Sequence, residues 1–208
     1  MRPVLAPLLT LVILLAAAAP AAAADRPATV RLNEVERGFW IGSSLGAVFY
    51  PSLPGEGDAS GSGALVGIEM GFDITRYLQV GALVWGQAIG ADANYRGITD
   101  SGTDPKGARG DFQSLLAGGT VRLAFLSLAD ANGIDRTFFY FRGAGGASLS
   151  RPEGVVGDGL WFAAGPGVEY FTRLRHFSIG LEVDALGMMT DEGETLGVAV
   201  LPNLKYSF

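Results

Sequence analysis

Residues able to do chemistry are few in this chain, and they are scattered. There is no cysteine, so neither disulfides nor a lipid-modified N-terminal cysteine can form. His176 is the only histidine, between Arg175 and Phe177 in a short connection. Gly143–Gly146 and Gly165–Gly167 lack the full spacing and the following Lys-Ser/Thr of a phosphate-binding loop. Asp130-Ala131-Asn132-Gly133 starts like a calcium loop but has no terminal bidentate glutamate, so it reads as a turn. Asp191-Glu192-Gly193-Glu194 clusters acids in what reads as a solvated loop, with a divalent-cation site as the sharper alternative. No cofactor is implied. What remains is a set of separated charges: Glu69, Asp73, Arg122, Arg142, Glu169, Glu182, Asp184 and Lys205. Their chemistry is ion pairing. Arg122, Arg142 and Lys205 are expected to pair with Glu69, Glu169, Glu182 and Asp184, because an unpaired charge away from water is costly.

The elements that must position these charges show strict period-2 alternation, the signature of strands with two unlike faces. Eight such segments follow one another. The apolar face runs Phe39, Ile41, Leu45, Ala47, Phe49, then Ala64, Val66, Ile68, Met70, Phe72, Ile74, then Leu78, Val80, Ala82, Val84, Ala88. It continues with Leu115, Ala117, Val121, Leu123, Phe125, with Phe139, Phe141, Ala147, Leu149, and with Leu160, Phe162, Ala164, Val168, Tyr170. Phe177, Ile179, Leu181, Val183, Ala185 and finally Leu196, Val198, Val200, Leu204, Tyr206, Phe208 complete it. The opposite face is rich in Gly and Ser, and every charge inside the segments falls on it. A water-exposed strand face carries more Lys, Glu and Thr, since Gly weakens strands; small residues suit a narrow lumen better.

Each segment is long enough to cross a bilayer as a tilted strand of about 9–11 residues, and no apolar run of helix-span length follows Ala24. Mean hydropathy is nevertheless positive, at +0.30. These facts predict an all-β, eight-stranded, antiparallel up-and-down transmembrane barrel. The alternative is a soluble lipocalin-like barrel, apolar inside and polar outside. If the N-terminus lies on the periplasmic side, Phe39, Phe72, Phe125, Phe139, Tyr170 and Phe177 fall with Tyr206 and Phe208 near one rim, as an interfacial aromatic belt should. Residues 51–62, 89–110, 150–158 and 188–194 become outer loops, while Thr75-Arg76 and Thr172–His176 become short turns. Residues 126–136 stand out as a long turn on the short-turn side. His176 is then far from the outer leaflet, and no enzymatic function is expected.

The N-terminus reads as a signal peptide over residues 1–24. Arg2 is its positive residue, an apolar run spans about Val4–Ala19, Pro20 breaks it, and Ala22-Ala23-Ala24 offers a cleavage site. Residues 25–37 form a short periplasmic segment and 38–208 the barrel, with no peptidoglycan-binding domain expected. The formal charge of −6 leaves no basic footprint for nucleic acid.

The terminal run Val198-Ala199-Val200-Leu201-Pro202-Asn203-Leu204-Lys205-Tyr206-Ser207-Phe208 resembles that of small outer-membrane barrels of the OmpA and OmpX type. The resemblance covers about residues 38–208. It implies that Val200, Leu204, Tyr206 and Phe208 form the signal read by the barrel-assembly machinery, and that outer-membrane lipid and lipopolysaccharide surround the protein. Pro202 departs from the pattern and predicts a local bulge. Asn33-Glu34-Val35-Glu36-Arg37-Gly38 beside a Gly-rich short barrel is similar to myxobacterial outer-membrane barrels of the gliding-motility machinery, which implies an envelope or motility complex as partner. Eight strands leave an interior that side chains just fill, so the reading is a plugged structural or interaction barrel. A small-molecule or ion transport or binding role is the alternative, with the mixed-charge loop Gly90–Gly110 (Tyr95, Arg96, Asp100, Asp104, Lys106, Arg109) as its surface.

Overall fold

The computed structural model describes residues 35–54, 59–92, 110–152, 155–174 and 176–208. The expected signal peptide 1–24, residues 25–34 and residues 93–109, including Tyr95, Arg96, Asp100, Asp104, Lys106 and Arg109, lie outside the described residues, as does Arg175.

Alternating side chains with a β-branched and aromatic bias produce strands throughout: β1 Phe39–Tyr50, β2 Gly61–Asp73, β3 Leu78–Ala91, β4 Phe112–Ala129, β5 Asp135–Arg151, β6 Gly159–Phe171, β7 Phe177–Thr190 and β8 Gly193–Ser207. Each pairs antiparallel with its sequence neighbours, and β1 pairs with β8, so the sheet closes and no edge is left. The faces fall as the alternation requires. Leu45 and Phe125 are each 67% exposed on the outer wall, whereas Arg142, Glu182 and Asp184 are fully buried inside. A water-soluble lipocalin-type barrel has the reverse arrangement.

Four local expectations are corrected. Residues 126–136 are not a long turn: β4 and β5 continue through them, and the connection shrinks to the tight turn Asp130–Ile134. Register shifts between Ala124 and Leu126 and between Leu128 and Ala129 accommodate the extension. The Asp130 carboxylate closes the turn, accepting hydrogen bonds from the N–H groups of Asn132 (2.8 Å) and Ile134 (3.1 Å) and from Arg136 Nε (2.8 Å). The Ile134 N–H, followed by Arg136, holds that carboxyl below its ordinary range. The turn therefore keeps its charged cap until the pH falls through that lowered value. Residues 188–194 are likewise no long outer loop, since β7 and β8 join through a two-residue turn, Asp191-Glu192, with Thr190 opposite Gly193.

Pro202 makes no bulge. Its strand stays in one register with β7, Leu181 opposite Pro202. Pairing with β1 lapses opposite Leu201–Pro202 and resumes unshifted at Val200, so no ladder hydrogen bond is asked of the proline nitrogen.

The fourth correction concerns the lumen, which is polar only in part. Toward the end bearing the short turns and both barrel termini it holds the charges. Toward the loop end it is an apolar core of Leu65, Trp85, Leu116, Trp161, Leu186 and Leu201. Loop residues Leu53, Val155 and Val156 fold over that end and are buried with Tyr50 and Phe112. All three tryptophans, Trp40, Trp85 and Trp161, point inward. Inward glycines make room for these large groups. A Cβ on Gly67 would lie 2.1 Å from Trp85 Cδ1.

Gly67→Ala should therefore force Trp85 off its partner Trp161, 5.3 Å away between centroids, at a cost of about 1–3 kcal/mol. Gly143→Ala, where nothing lies within 4 Å of the new Cβ, should leave stability unchanged. The thermal midpoint of heat-modifiable gel migration reads both.

Candidate functional site: a buried charge layer

Inward positions on β2, β4, β5, β6, β7 and β8 bring charged groups to adjoining levels of the lumen. Arg122 and Arg142 stand directly opposite each other across β4 and β5. Like charges so placed repel, and two acids from across the lumen bind them together. Arg122 Nη2 lies 2.7 Å from Glu69 Oε2 and 2.9 Å from Glu182 Oε1. Arg142 Nη1 pairs with Glu182 Oε2 and lies 3.4 Å from Glu69 Oε1 and 3.5 Å from Asp184 Oδ2. Tyr140 donates its hydroxyl to Glu182 Oε1 at 2.6 Å. Gly167 permits this, since a Cβ there would meet the Tyr140 ring at 2.5 Å.

Beside this group Lys205 Nζ sits 2.5 Å from Glu169 Oε1, which also accepts the Ser178 hydroxyl at 2.5 Å. Asp73 stands at the end of β2, where it accepts the Gly38 N–H at 3.3 Å. It ties the entering chain to the turn-end rim of the lumen.

Aromatic faces supply the remaining stabilisation. Arg142 lies 4.3 Å from the Trp85 centroid, and Arg122 and Lys205 each lie 5.3 Å from that of Trp40. The sequence reading did not identify Trp40, Trp85 or Tyr140 as part of the site. Their parity in the alternation, matching the charges rather than the outer apolar face, was the signal.

Toward the turn end the mouth is narrowed by Arg37, whose guanidinium stacks over Phe138 (4.7 Å) and Phe171 (5.3 Å) and donates to the Arg76 carbonyl at 3.1 Å. His176 performs no acid–base task visible in the geometry. Its Nδ1 lies 2.7 Å from Glu36 Oε2 and 2.9 Å from the Ser207 carbonyl, and its ring stacks on Tyr206. It fastens the entering segment to the last strand. Gly143–Gly146 and Gly165–Gly167 lie within β5 and β6. Among the described residues no group of three or more His, Cys, Asp or Glu side chains is arranged to hold a metal ion.

On the outer wall the turn-end aromatics form a run of contacts: Phe72 to Phe39 (5.2 Å), Phe39 to Phe208 (5.5 Å), Phe208 to Tyr206 (4.8 Å) and Tyr206 to Phe177 (5.0 Å). Phe125, Phe139 and Tyr170 occupy the same end of β4, β5 and β6. Val200 and Leu204 are exposed on β8, and the Phe208 N–H donates to the Phe39 carbonyl at 2.9 Å, joining the ends of the barrel.

A closed eight-stranded antiparallel barrel with an apolar exterior and charges sealed inside is the architecture of the small outer-membrane barrels. No family model matches the chain, and no curated protein matches it either. Among solved structures it is similar to Neisserial surface protein A, with a TM-score of 0.58, 12% identity, and coverage of 84% of this chain and 100% of that one. OprG from Pseudomonas aeruginosa is found at a TM-score of 0.47 and 9% identity, covering 85% of this chain and 98% of that one. Ail, the attachment invasion locus protein of Yersinia pestis, is found at 0.40 and 12%, covering 83% and 99%. At these identities the likeness is one of fold.

Arg142→Leu should test whether the charge layer behaves as a buried one. It leaves Glu182 and Asp184 without their shared cation, and the urea midpoint should report a loss of about 3–5 kcal/mol. A loss below about 1 kcal/mol would mean that the layer is solvated.

Proposed function

We propose that the protein is a non-enzymatic barrel of the outer membrane, with a lumen closed by its own side chains, acting as a structural or interaction component of the cell envelope. One observation carries this reading: the outer wall is apolar along the strands, while the charged side chains of the lumen are buried and paired. An exterior of that kind is stable against lipid and not against water. The interior is occupied by the charge layer, the apolar core above it, and the Arg37 contact at the turn end.

In this reading the aromatic run lies at the periplasmic interface, the loops face outward beside lipopolysaccharide, and Val200, Leu204, Tyr206 and Phe208 present the last strand to the barrel-assembly machinery. Partnership with an envelope or motility complex, as the resemblance of Asn33–Gly38 implies, would run through residues 25–37. A transport or binding role is the second reading, resting on the mixed charge of loop 90–110 rather than on the lumen.

Planar-bilayer recording should give no steady nanosiemens-scale conductance; such conductance would overturn the closed lumen. Val200→Arg, on the outer wall, should cost about 2–4 kcal/mol if it lies near the bilayer midplane, and deletion of Phe208 should reduce the amount of heat-modifiable barrel in the outer-membrane fraction. A protein recovered in the soluble periplasmic fraction, tolerant of both changes, would overturn the membrane assignment.

A further inference from the structure

The charge layer does not balance. Glu69 on β2, Glu169 on β6, and Glu182 and Asp184 on β7 are buried acids. The buried cations among them are Arg122 on β4, Arg142 on β5 and Lys205 on β8. β1 and β3 add only neutral groups at this level, Trp40, Ser44 and Gln79. The charges nearer the turn end do not make up the difference. Arg136 is paired with Asp130, and Arg37 at the mouth and Asp73 at the end of β2 add one charge of each sign, so counting both leaves the difference unchanged. Among the described residues the layer therefore has one more acid than cations.

The surplus falls on Asp184. It is fully buried, and neither of its carboxylate oxygens has a hydrogen-bond partner. The cation that reaches it is Arg142 Nη1 at 3.5 Å, and that nitrogen is already engaged by Glu182. The next inward positions on its own strand are Leu186 and Met188, so Asp184 stands at the boundary where the charged half of the lumen meets the apolar half. An ionised carboxylate with no hydrogen bond in such a place is far more costly than a neutral carboxylic acid.

We propose that the charge layer is a one-proton binding site and that Asp184 carries the proton in the folded barrel. Hydronium in the bulk solvent supplies the proton and is left as water; the proton forms an O–H bond on the carboxyl group, which brings the layer to neutrality. The small voids of the layer lie toward the turn end and are lined by Arg122, not by Asp184 itself. Two spaces of about 10 Å³, each near the size of one water, flank Arg122 on that side, one reaching Glu169 and Arg37 and the other Glu69 and Lys205. On the loop side the apolar core of Trp85, Leu116, Trp161 and Leu186 offers a proton no partner. The inference rests on the packing of the lumen and stands whichever membrane or partner the barrel serves.

The test uses the full barrel, refolded in detergent micelles. Folding equilibrium is measured from about pH 5 to about pH 6, above the ordinary carboxyl range of the unfolded chain, where the folded barrel retains one proton. There the wild-type folding constant should fall about tenfold per pH unit relative to that of Asp184→Asn, which has no proton to lose. Infrared spectra of wild-type protein carrying isotope-labelled aspartate should show a protonated-carboxyl band that shifts with the label. That measurement needs no variant and holds if Asp184→Asn fails to fold. Parallel pH profiles for the two proteins, or absence of the label-sensitive band, would overturn the proposal. Neither result bears on the membrane assignment, which fractionation decides separately.

Discussion

The bridge between Arg122 and Arg142 through Glu182 and Glu69 is the interaction on which the rest of the structure depends. Two guanidinium groups placed opposite each other on neighbouring strands would push β4 and β5 apart. Carboxylates delivered from β2 and β7 turn that repulsion into a lattice spanning the lumen. Such a lattice is stable only when every strand is in register, because a slip by one residue sends each charge to the outer wall. The lattice thus selects the register that closure of the barrel requires.

Closure in turn fixes the division of the lumen. Eight strands enclose a space that must be filled by side chains, and this chain fills it in two chemically different layers. Charges occupy the turn end, where Arg37 covers the mouth. Leu, Trp and Met occupy the loop end, where Leu53, Val155 and Val156 fold over them. Tryptophan faces join the layers: Trp85 meets Arg142 on one side and Trp161 on the other. Inward glycines such as Gly67 and Gly167 are the complement of these large groups, placed where a methyl group would collide with a ring.

The exterior obeys a different constraint. Its apolar side chains point away from the lumen and are not packed in a core, and their size varies from alanine to phenylalanine. Aromatic rings are concentrated at one rim, and there they touch one another around the seam where Phe208 meets Phe39. The prolines are tolerated on the same terms. Pro202 keeps its strand in register because the ladder it cannot serve is already interrupted opposite it.

The sequence by itself determined the number of strands, their order and the face each residue shows, because alternation in a strand is a local property that tertiary packing here does not override. It also placed Glu69, Arg122, Arg142, Glu169, Glu182, Asp184 and Lys205 inside, since charge parity along each strand is enough for that. Only the tertiary structure decided which acid meets which base. Pairing depends on the stagger between strands, and stagger leaves no mark on any one segment. The same holds for Asp73, whose parity matches the lumen but whose position at the end of β2 puts it at the rim. The apolar half of the lumen was hidden for a related reason. Once one face is taken as apolar and outward, a Leu or Trp on the other face reads as an irregularity, and only closure of the barrel shows that these residues converge. The two turns misjudged in length, at 126–136 and 188–194, were decided by backbone hydrogen bonding across the hairpins, which lets strands run on through residues of weak strand preference whenever a partner strand is already in place.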